Sequence, residues 1–288
     1  MKLNEYKNIS NEVMNISKRI YQEILRQCET LKLYKSKYSG AVYNEGTITI
    51  DNITVDFLMY YLDTIGEYNR FMGTIGQEAN SYTDYDKKYM KIVSGFIDGY
   101  PSPDLLGNIS HEINHIFEYD NGREKRVDLY DAVVEMLNNE SYKKRCVARC
   151  LYYAFQHEID AFVHQFYGFL CQENPRHLNF EQLLQYSEYK NVVAYYDYVK
   201  ANQLDKEVIS AINELGYSKR DFFKRIHFAL KKLEKKMYNA YIRYTHENPI
   251  MSDWHIRQML KQDNLLQEDI ERFGETIEWG MESVFIFG

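Results

Sequence analysis

Two histidines and a glutamate in the segment Ser110-His111-Glu112-Ile113-Asn114-His115 have the types and spacing needed to hold a metal ion and activate water. Residues four apart in a helix lie one turn apart on the same face, so His111 and His115 can direct ring nitrogens at one ion. Glu112 follows His111 directly and can reach a water molecule on that ion without being a ligand. We therefore expect hydrolysis with Zn²⁺ as the cofactor, His111 and His115 as ligands and Glu112 as the general base.

The residues around this motif predict a helix. Ser102-Pro103-Asp104 supplies an N-cap, a proline at the first helical position and an early acidic residue, and Asn121-Gly122 is a stop signal. An apolar stripe lies on a different face from the histidines and consists of Leu106, Ile109, Ile113 and Phe117. Gly107 costs the helix about 1 kcal/mol relative to alanine. It therefore indicates a place where another backbone or a substrate comes close.

A hydrolytic zinc site needs three protein ligands and one open position, so a third ligand must come from elsewhere in the chain. The best candidate is Glu158, which lies in the apolar stripe of a long helix predicted over Lys143–Cys171. The stripe consists of Val147, Leu151, Ala154, Phe155, Ala161, Phe162, Phe166 and Phe169. A buried carboxylate in such a stripe must be protonated, paired with a cation or bound to a metal. We favour the metal.

Four other side chains compete for this role. His157 and His164 lie seven apart on one face of the same helix, with Asp160 between them. Any of the three could bind the metal, or Asp160 could orient a histidine ligand. We interpret the two histidines as ordinary polar-face residues. Glu118 lies one turn beyond His115 and could also reach the metal, but it ranks below Glu158.

The motif at His111–His115, followed on a later helix by Glu158-x-x-Ala161-Phe162, resembles the zincin metallopeptidases of gluzincin type. It is similar in particular to the compact minigluzincins, which include the ImmA/IrrE group. The resemblance implies His111, His115 and Glu158 as ligands and Glu112 as the catalytic acid and base. It also implies a small sheet whose edge strand, matching Tyr89–Ile97, lies against the substrate.

The resemblance covers about residues 43–171, and the chain departs from the family pattern at one position inside it. Phe162 follows Ala161 where the family usually has a small polar or acidic residue. The chain also contains no recognisable repressor-type domain. The substrate of the ImmA/IrrE group therefore does not carry over.

Strand patterns precede the motif. Alternating apolar residues in Thr47–Ile50 and Ile53–Phe57 flank the polar pair Asp51-Asn52 and predict a β-hairpin. Tyr89–Ile97 predicts a strand just before the metal helix, where an open edge would suit an extended peptide. The alternative is an interior strand with both edges occupied. Ser81–Lys88 is polar and predicts a loop.

Helical patterns account for most of the remaining chain. They cover Asn4–Leu33, Val127–Leu137, Lys143–Cys171, Phe180–Tyr186, Val192–Lys200, Lys206–Leu215, Ser218–His246 and Met251–Leu260. Leu58–Leu62 suits a strand or a short helix equally, and Gly73 and Gly76 bracket a turn or strand end. The predicted fold is α+β and mostly helical. It has a zincin-like core over residues 1–174, with a small sheet and two metal helices, and a helical extension over residues 175–288.

Composition limits the function classes. The chain has 288 residues and a net charge of −7, which argues against general nucleic-acid binding. No apolar run approaches 18 residues and no charged-then-apolar leader begins the chain, so we expect neither a membrane span nor export. The four cysteines are scattered without zinc-finger spacing, which suits buried thiols in a reducing compartment. A cytoplasmic location follows as the default.

The favoured function is a cytoplasmic zinc metallopeptidase acting on a peptide or protein substrate. One alternative is a zincin-fold binding or virion-associated protein with an inactive site. Another is a helical interaction protein in which the motif arises by chance. Lysines and arginines along Ser218–His246 form a basic face that is either solvated or docks an acidic partner or nucleic acid. The sequence carries no signal for an oligomeric state.

Overall fold

The computed structural model describes residues 9–35, 41–64, 66–67, 81–84, 86–120, 128–175, 178–185 and 187–248. The strands are β1 (Tyr34–Lys35), β2 (Val42–Ile50), β3 (Ile53–Leu62), β4 (Tyr82–Asp84), β5 (Tyr89–Ile97) and β6 (Tyr100–Pro101). The helices are α1 (Asn11–Cys28), α2 (Leu105–Asp120), α3 (Asp128–Leu137), α4 (Tyr142–Tyr152), α5 (Gln156–Glu173), α6 (Phe180–Leu184), α7 (Glu188–Ala201), α8 (Lys206–Glu214) and α9 (Lys219–Glu247). The predicted α+β class with mostly helical content is confirmed.

Several predictions fall on residues outside the described ranges. They are the first residues of the N-terminal helix, the turn at Gly73 and Gly76, the stop signal Asn121-Gly122 and the helix Met251–Leu260. Within the described part of the chain, no helix combines the length and apolar character needed to span a membrane.

The sheet has the strand order β1-β2-β3-β5-β4, with β6 paired to β5. Strands β2 and β3 form the predicted hairpin, and their turn residues Asp51 and Asn52 have φ values of +49° and +65°. Positive φ at both positions suits short polar side chains in a two-residue hairpin turn. The segment Leu58–Leu62 extends β3, which resolves the choice between strand and helix. Strands β3 and β5 run parallel, and the other pairs are antiparallel.

The strand predicted at Tyr89–Ile97 is confirmed with the same bounds. Of the two positions that the sequence left open, the interior one is confirmed, and the edge position that the family resemblance implies is wrong. Strand β5 lies between β3 and β4, and its last residues pair with β6. Between these short strands, Ser102 N donates to Gly95 O at 2.8 Å and Val93 N donates to Ser81 Oγ at 3.3 Å. Strand β4 is the outer strand and lies inside the segment predicted as a loop. A three-residue strand is too short to produce a period-2 pattern.

One apolar core joins α1 and α2 to the sheet. Its buried members include Ile20 and Ile24 of α1, Phe57 and Met59 of β3, and Ile109 and Ile113 of α2. Helix α1 begins at Asn11 because the Ser10 side chain accepts a hydrogen bond from Val13 N. The apolar stripe of α2 thus anchors that helix to the sheet, and its histidine face turns towards α5.

A second core joins helices α3 to α9, and here the prediction of one helix over Lys143–Cys171 is wrong. The chain leaves the helical conformation at Phe155, which has φ −73° and ψ 142° and caps α5. Tyr153 and Phe155 are both buried in this core. Apolar residues continue across the break at helical spacing, so the periodicity of the sequence gives no sign of it. The break places Glu158 in the first turn of α5.

The second core contains residues on both sides of position 174, such as Phe166 of α5 and Leu233 of α9. The division of the chain into residues 1–174 and 175–288 stays a prediction. On the basic face of α9, Lys236 forms an ion pair with Asp160, and Lys232 donates a hydrogen bond to Gln156. These two lysines therefore contribute to packing between α5 and α9.

Candidate metal centre

A close crossing of α2 and α5 brings the site together. Ideal Cβ atoms built at Gly107 and Gly168 would lie 2.8 Å from Gln165 O and 2.9 Å from Leu106 O, respectively. Real Cβ atoms do not approach other atoms so closely, so both positions need glycine. The expectation that another backbone approaches Gly107 is confirmed.

Side-chain hydrogen bonds fix the alignment of the two helices at this crossing. Gln172 Oε1 accepts from Leu106 N at 2.9 Å, and Gln165 Nε2 donates to Asn108 Oδ1 at 3.0 Å. In these two contacts the residue number increases along α2 while it decreases along α5, so the two helices pack antiparallel. One turn further along, the α2 histidines therefore meet the beginning of α5, where Glu158 lies.

The structure places His111, His115 and Glu158 next to one another. The two Nε2 atoms are 3.1 Å apart, and each lies 3.7 Å from Glu158 Oε2. Three points with these separations lie on a circle of radius about 2.0 Å, which matches Zn–N and Zn–O bonds of ~2.0–2.2 Å. Among the described residues, this is the one group of three His, Cys, Asp or Glu side chains with the spacing of metal ligands.

Glu158 is the least exposed of the three. The side chains of His111, His115 and Glu158 are 12%, 4% and 1% exposed. Glu158 Oε2 is buried and accepts no hydrogen bond from the described residues. Leaving an ionised carboxylate oxygen in this state costs on the order of several kcal/mol. A divalent cation between Oε2 and the two imidazoles would remove that cost, so this donor set fits a zinc ion.

Both histidines are held in the form that binds metals. Burial lowers the pKa of His111 to about 3, with a further decrease from His164 and an opposing contribution from Gln165. Burial likewise lowers the pKa of His115 to about 3, although the charge of Glu158 opposes this shift. Neutral imidazole has a lone pair to offer an ion. The Phe162 ring lies 4.8 Å from the His111 ring, between centroids, and restricts its orientation.

Glu112 directly follows the candidate ligand His111 in α2 and is held by the outer strand of the sheet. Thr83 of β4 donates a hydrogen bond from Oγ1 to Glu112 Oε2 at 2.5 Å. Burial raises the pKa of Glu112 to about 7, the Thr83 hydrogen bond opposes this rise, and the charge of Glu158 adds to it. A carboxyl group with a pKa near neutrality can both accept and return a proton.

The competing candidates have other partners. His164 is buried, accepts a hydrogen bond from Ser10 N at 3.0 Å and donates from Nδ1 to Asp160 O at 2.8 Å. Its interpretation as a polar-face residue is therefore wrong. Asp160 pairs with Lys236, and Glu118 is not part of the three-residue group. His157 is close to the site, with Nε2 3.4 Å from Glu158 Oε1.

Three residues near the site were missed by sequence reasoning: Thr83, Tyr130 and Tyr152. Tyr130 Oη lies 3.4 Å from Glu158 Oε1. Burial, and then the charge of Glu158, raise the pKa of the Tyr152 hydroxyl. The chain contains 27 tyrosines, so residue type alone could not select two of them. Thr83 lies on a strand that the polar pattern of its segment concealed.

Comparison with models of known protein families, with curated proteins and with solved structures finds no match to this chain. The geometry of the site itself is therefore the guide to function.

Proposed function

We propose that this protein is a zinc-dependent metallopeptidase in which His111, His115 and Glu158 hold the ion and Glu112 is the general base. The observation that carries the proposal is the spacing of three ligand atoms around a point about 2.0 Å from each. The position of Glu112, one residue after the first histidine, adds a proton acceptor beside that point. The finer assignment to a zincin-like core belongs to the same proposal.

Each side chain has a separate part in the proposed reaction. Zinc held by His111, His115 and Glu158 would supply a water molecule with a pKa of about 7 and would polarise a carbonyl group. Glu112 accepts a proton from the attacking water and then delivers it to the nitrogen of the leaving amine. Thr83 holds the Glu112 carboxyl at Oε2, which orients the proton acceptor. The outer strand β4 contributes this contact. Among the described residues its outer edge pairs with no further strand, so that edge is our candidate for binding an extended peptide.

Metal analysis and peptide cleavage test the proposal together. We expect about one zinc per chain in the wild type and its loss in the variants His111→Ala and Glu158→Ala. The variant Glu112→Gln should keep zinc and lose cleavage of a peptide library. Glu118→Gln, on the same helix, is the matched control and should keep both. Cleavage by Glu112→Gln at the wild-type rate would refute the assigned role.

A second candidate function is a metal-holding protein without turnover, which the low exposure of the three ligand side chains favours. Burial protects a structural ion but limits the access of a polypeptide. Zinc binding without cleavage of any library peptide would favour this candidate. The possibility that the motif arises by chance predicts no stoichiometric zinc in the wild type.

A further inference from the structure

The two oxygen atoms of the Glu158 carboxylate have different surroundings. Oε1 accepts a hydrogen bond from Tyr130 Oη at 3.4 Å and lies 3.4 Å from His157 Nε2. Oε2 accepts no hydrogen bond from the described residues and lies 3.7 Å from both histidine Nε2 atoms. One oxygen is thus held by the protein, and the other faces the proposed ion.

The two tyrosines come from helices that carry neither the motif nor Glu158. Tyr130 lies near the start of α3, and Tyr152 is the last residue of α4, directly before the helix break. Their ring centroids are 6.0 Å apart, and the Tyr130 ring lies 5.3 Å from Phe155 and 5.1 Å from His157. The rings are therefore packed in place, and their hydroxyl groups have limited freedom.

The chemistry of the phenols suits a donor role. A tyrosine hydroxyl is protonated at neutral pH at its ordinary pKa of about 10 and can donate a hydrogen bond to a carboxylate. Catalytic zinc has three protein ligands and one open position. A carboxylate that bound through both oxygens would occupy the position that a water molecule needs.

We propose that the Tyr130 hydroxyl, with its ring packed beside that of Tyr152, holds Glu158 Oε1 and leaves Oε2 as the single ligand atom. Under this proposal, α3 and α4 set the coordination number of the centre. The inference rests on the proposed function, because it needs an ion at His111, His115 and Glu158. It goes further by assigning a role to residues outside the three candidate ligands.

The test compares the double variant Tyr130→Phe/Tyr152→Phe with Tyr153→Phe. Tyr153 is the adjacent buried tyrosine, and its hydroxyl donates to a different carboxylate, Glu188. Zn²⁺ affinity is measured by competition with a chelating dye, and the visible absorption of the Co²⁺-substituted protein reports coordination number. We expect the double variant to bind zinc about 10- to 100-fold more weakly. Its Co²⁺ absorption should lose the intensity typical of four-coordination, and Tyr153→Phe should match the wild type.

The possible results separate the two proposals. Equal zinc affinity and equal Co²⁺ spectra in the double variant and Tyr153→Phe would overturn the positioning role and leave the metal centre intact. Failure of the wild type to bind zinc would overturn the metal centre and this inference with it. The single variants Tyr130→Phe and Tyr152→Phe provide the same readouts if the double variant unfolds, and wild-type behaviour in both would again overturn the positioning role.

Discussion

Replacing Gly107 with alanine should weaken metal binding through the distance between α2 and α5. The new Cβ would lie 2.8 Å from Gln165 O, whereas ordinary van der Waals contacts begin at 3.4 Å. The helices must therefore separate by about 0.6 Å at this point. Alanine favours the helix by about 1 kcal/mol, but overpacking costs about 1–3 kcal/mol. We expect a net loss in stability of about 0–2 kcal/mol.

The same separation predicts the effect on the ion. If the separation of about 0.6 Å is transmitted in full to the first turn of α5, the distances from Glu158 Oε2 to the two histidine Nε2 atoms rise from 3.7 Å to about 4.3 Å. The circle through the three atoms then grows from about 2.0 Å to about 2.3 Å in radius, which exceeds the ~2.0–2.2 Å of zinc bonds to nitrogen and oxygen. We expect zinc affinity to fall at least about 10-fold, the lower end of the losses that disturbed ligand placement causes.

The assay is a competitive zinc titration combined with thermal unfolding of the metal-free protein. Gly66→Ala is the matched control, because a Cβ built at Gly66 meets no heavy atom within 4 Å. Gly168→Ala should behave like Gly107→Ala, since its Cβ would lie 2.9 Å from Leu106 O on the facing helix. A zinc dissociation constant in Gly107→Ala equal to that of Gly66→Ala would refute this account of the helix crossing.

Three further predictions follow from contacts around the site. Thr83→Val removes the hydrogen bond to Glu112 and should lower the rate of peptide cleavage by about 10-fold with zinc retained. Thr83→Ser keeps the hydroxyl and should keep the wild-type rate. Equal cleavage rates in the two variants would contradict the positioning of Glu112. Lys236→Met breaks a largely buried ion pair with Asp160 of α5 and should lower the free energy of unfolding by about 1–3 kcal/mol. Lys235 is exposed, and Lys235→Met should change the free energy of unfolding by less than about 0.5 kcal/mol. Equal urea midpoints for the two variants would contradict the contribution of this ion pair. A chelator should lower the Tm of the zinc-loaded wild type in a calorimetric scan, because zinc at 100 times its Kd stabilises the folded protein by about 2.7 kcal/mol. The Tm of Glu158→Ala should not change when the chelator is added.

Local patterns in the sequence predicted much of the fold and part of the site. The four-residue spacing of His111 and His115 places them on one helical face, because helical periodicity is a short-range property. The hairpin at Asp51-Asn52 follows from the backbone conformations that these two residues tolerate. The sequence identified Glu158 as a candidate because a carboxylate in an apolar stripe requires a partner. The pattern did not show which partner it has.

Tertiary structure decided how these pieces meet. The break at Phe155, the strand β4 and the crossing at Gly107 all depend on contacts with distant segments, and local propensity does not encode such contacts. Thr83, Tyr130 and Tyr152 reach the site only after three other elements have packed. The sequence by itself determined which side chains can do chemistry and which faces they occupy. Only the packed chain decided their distances, because those depend on backbone contacts between helices far apart in sequence.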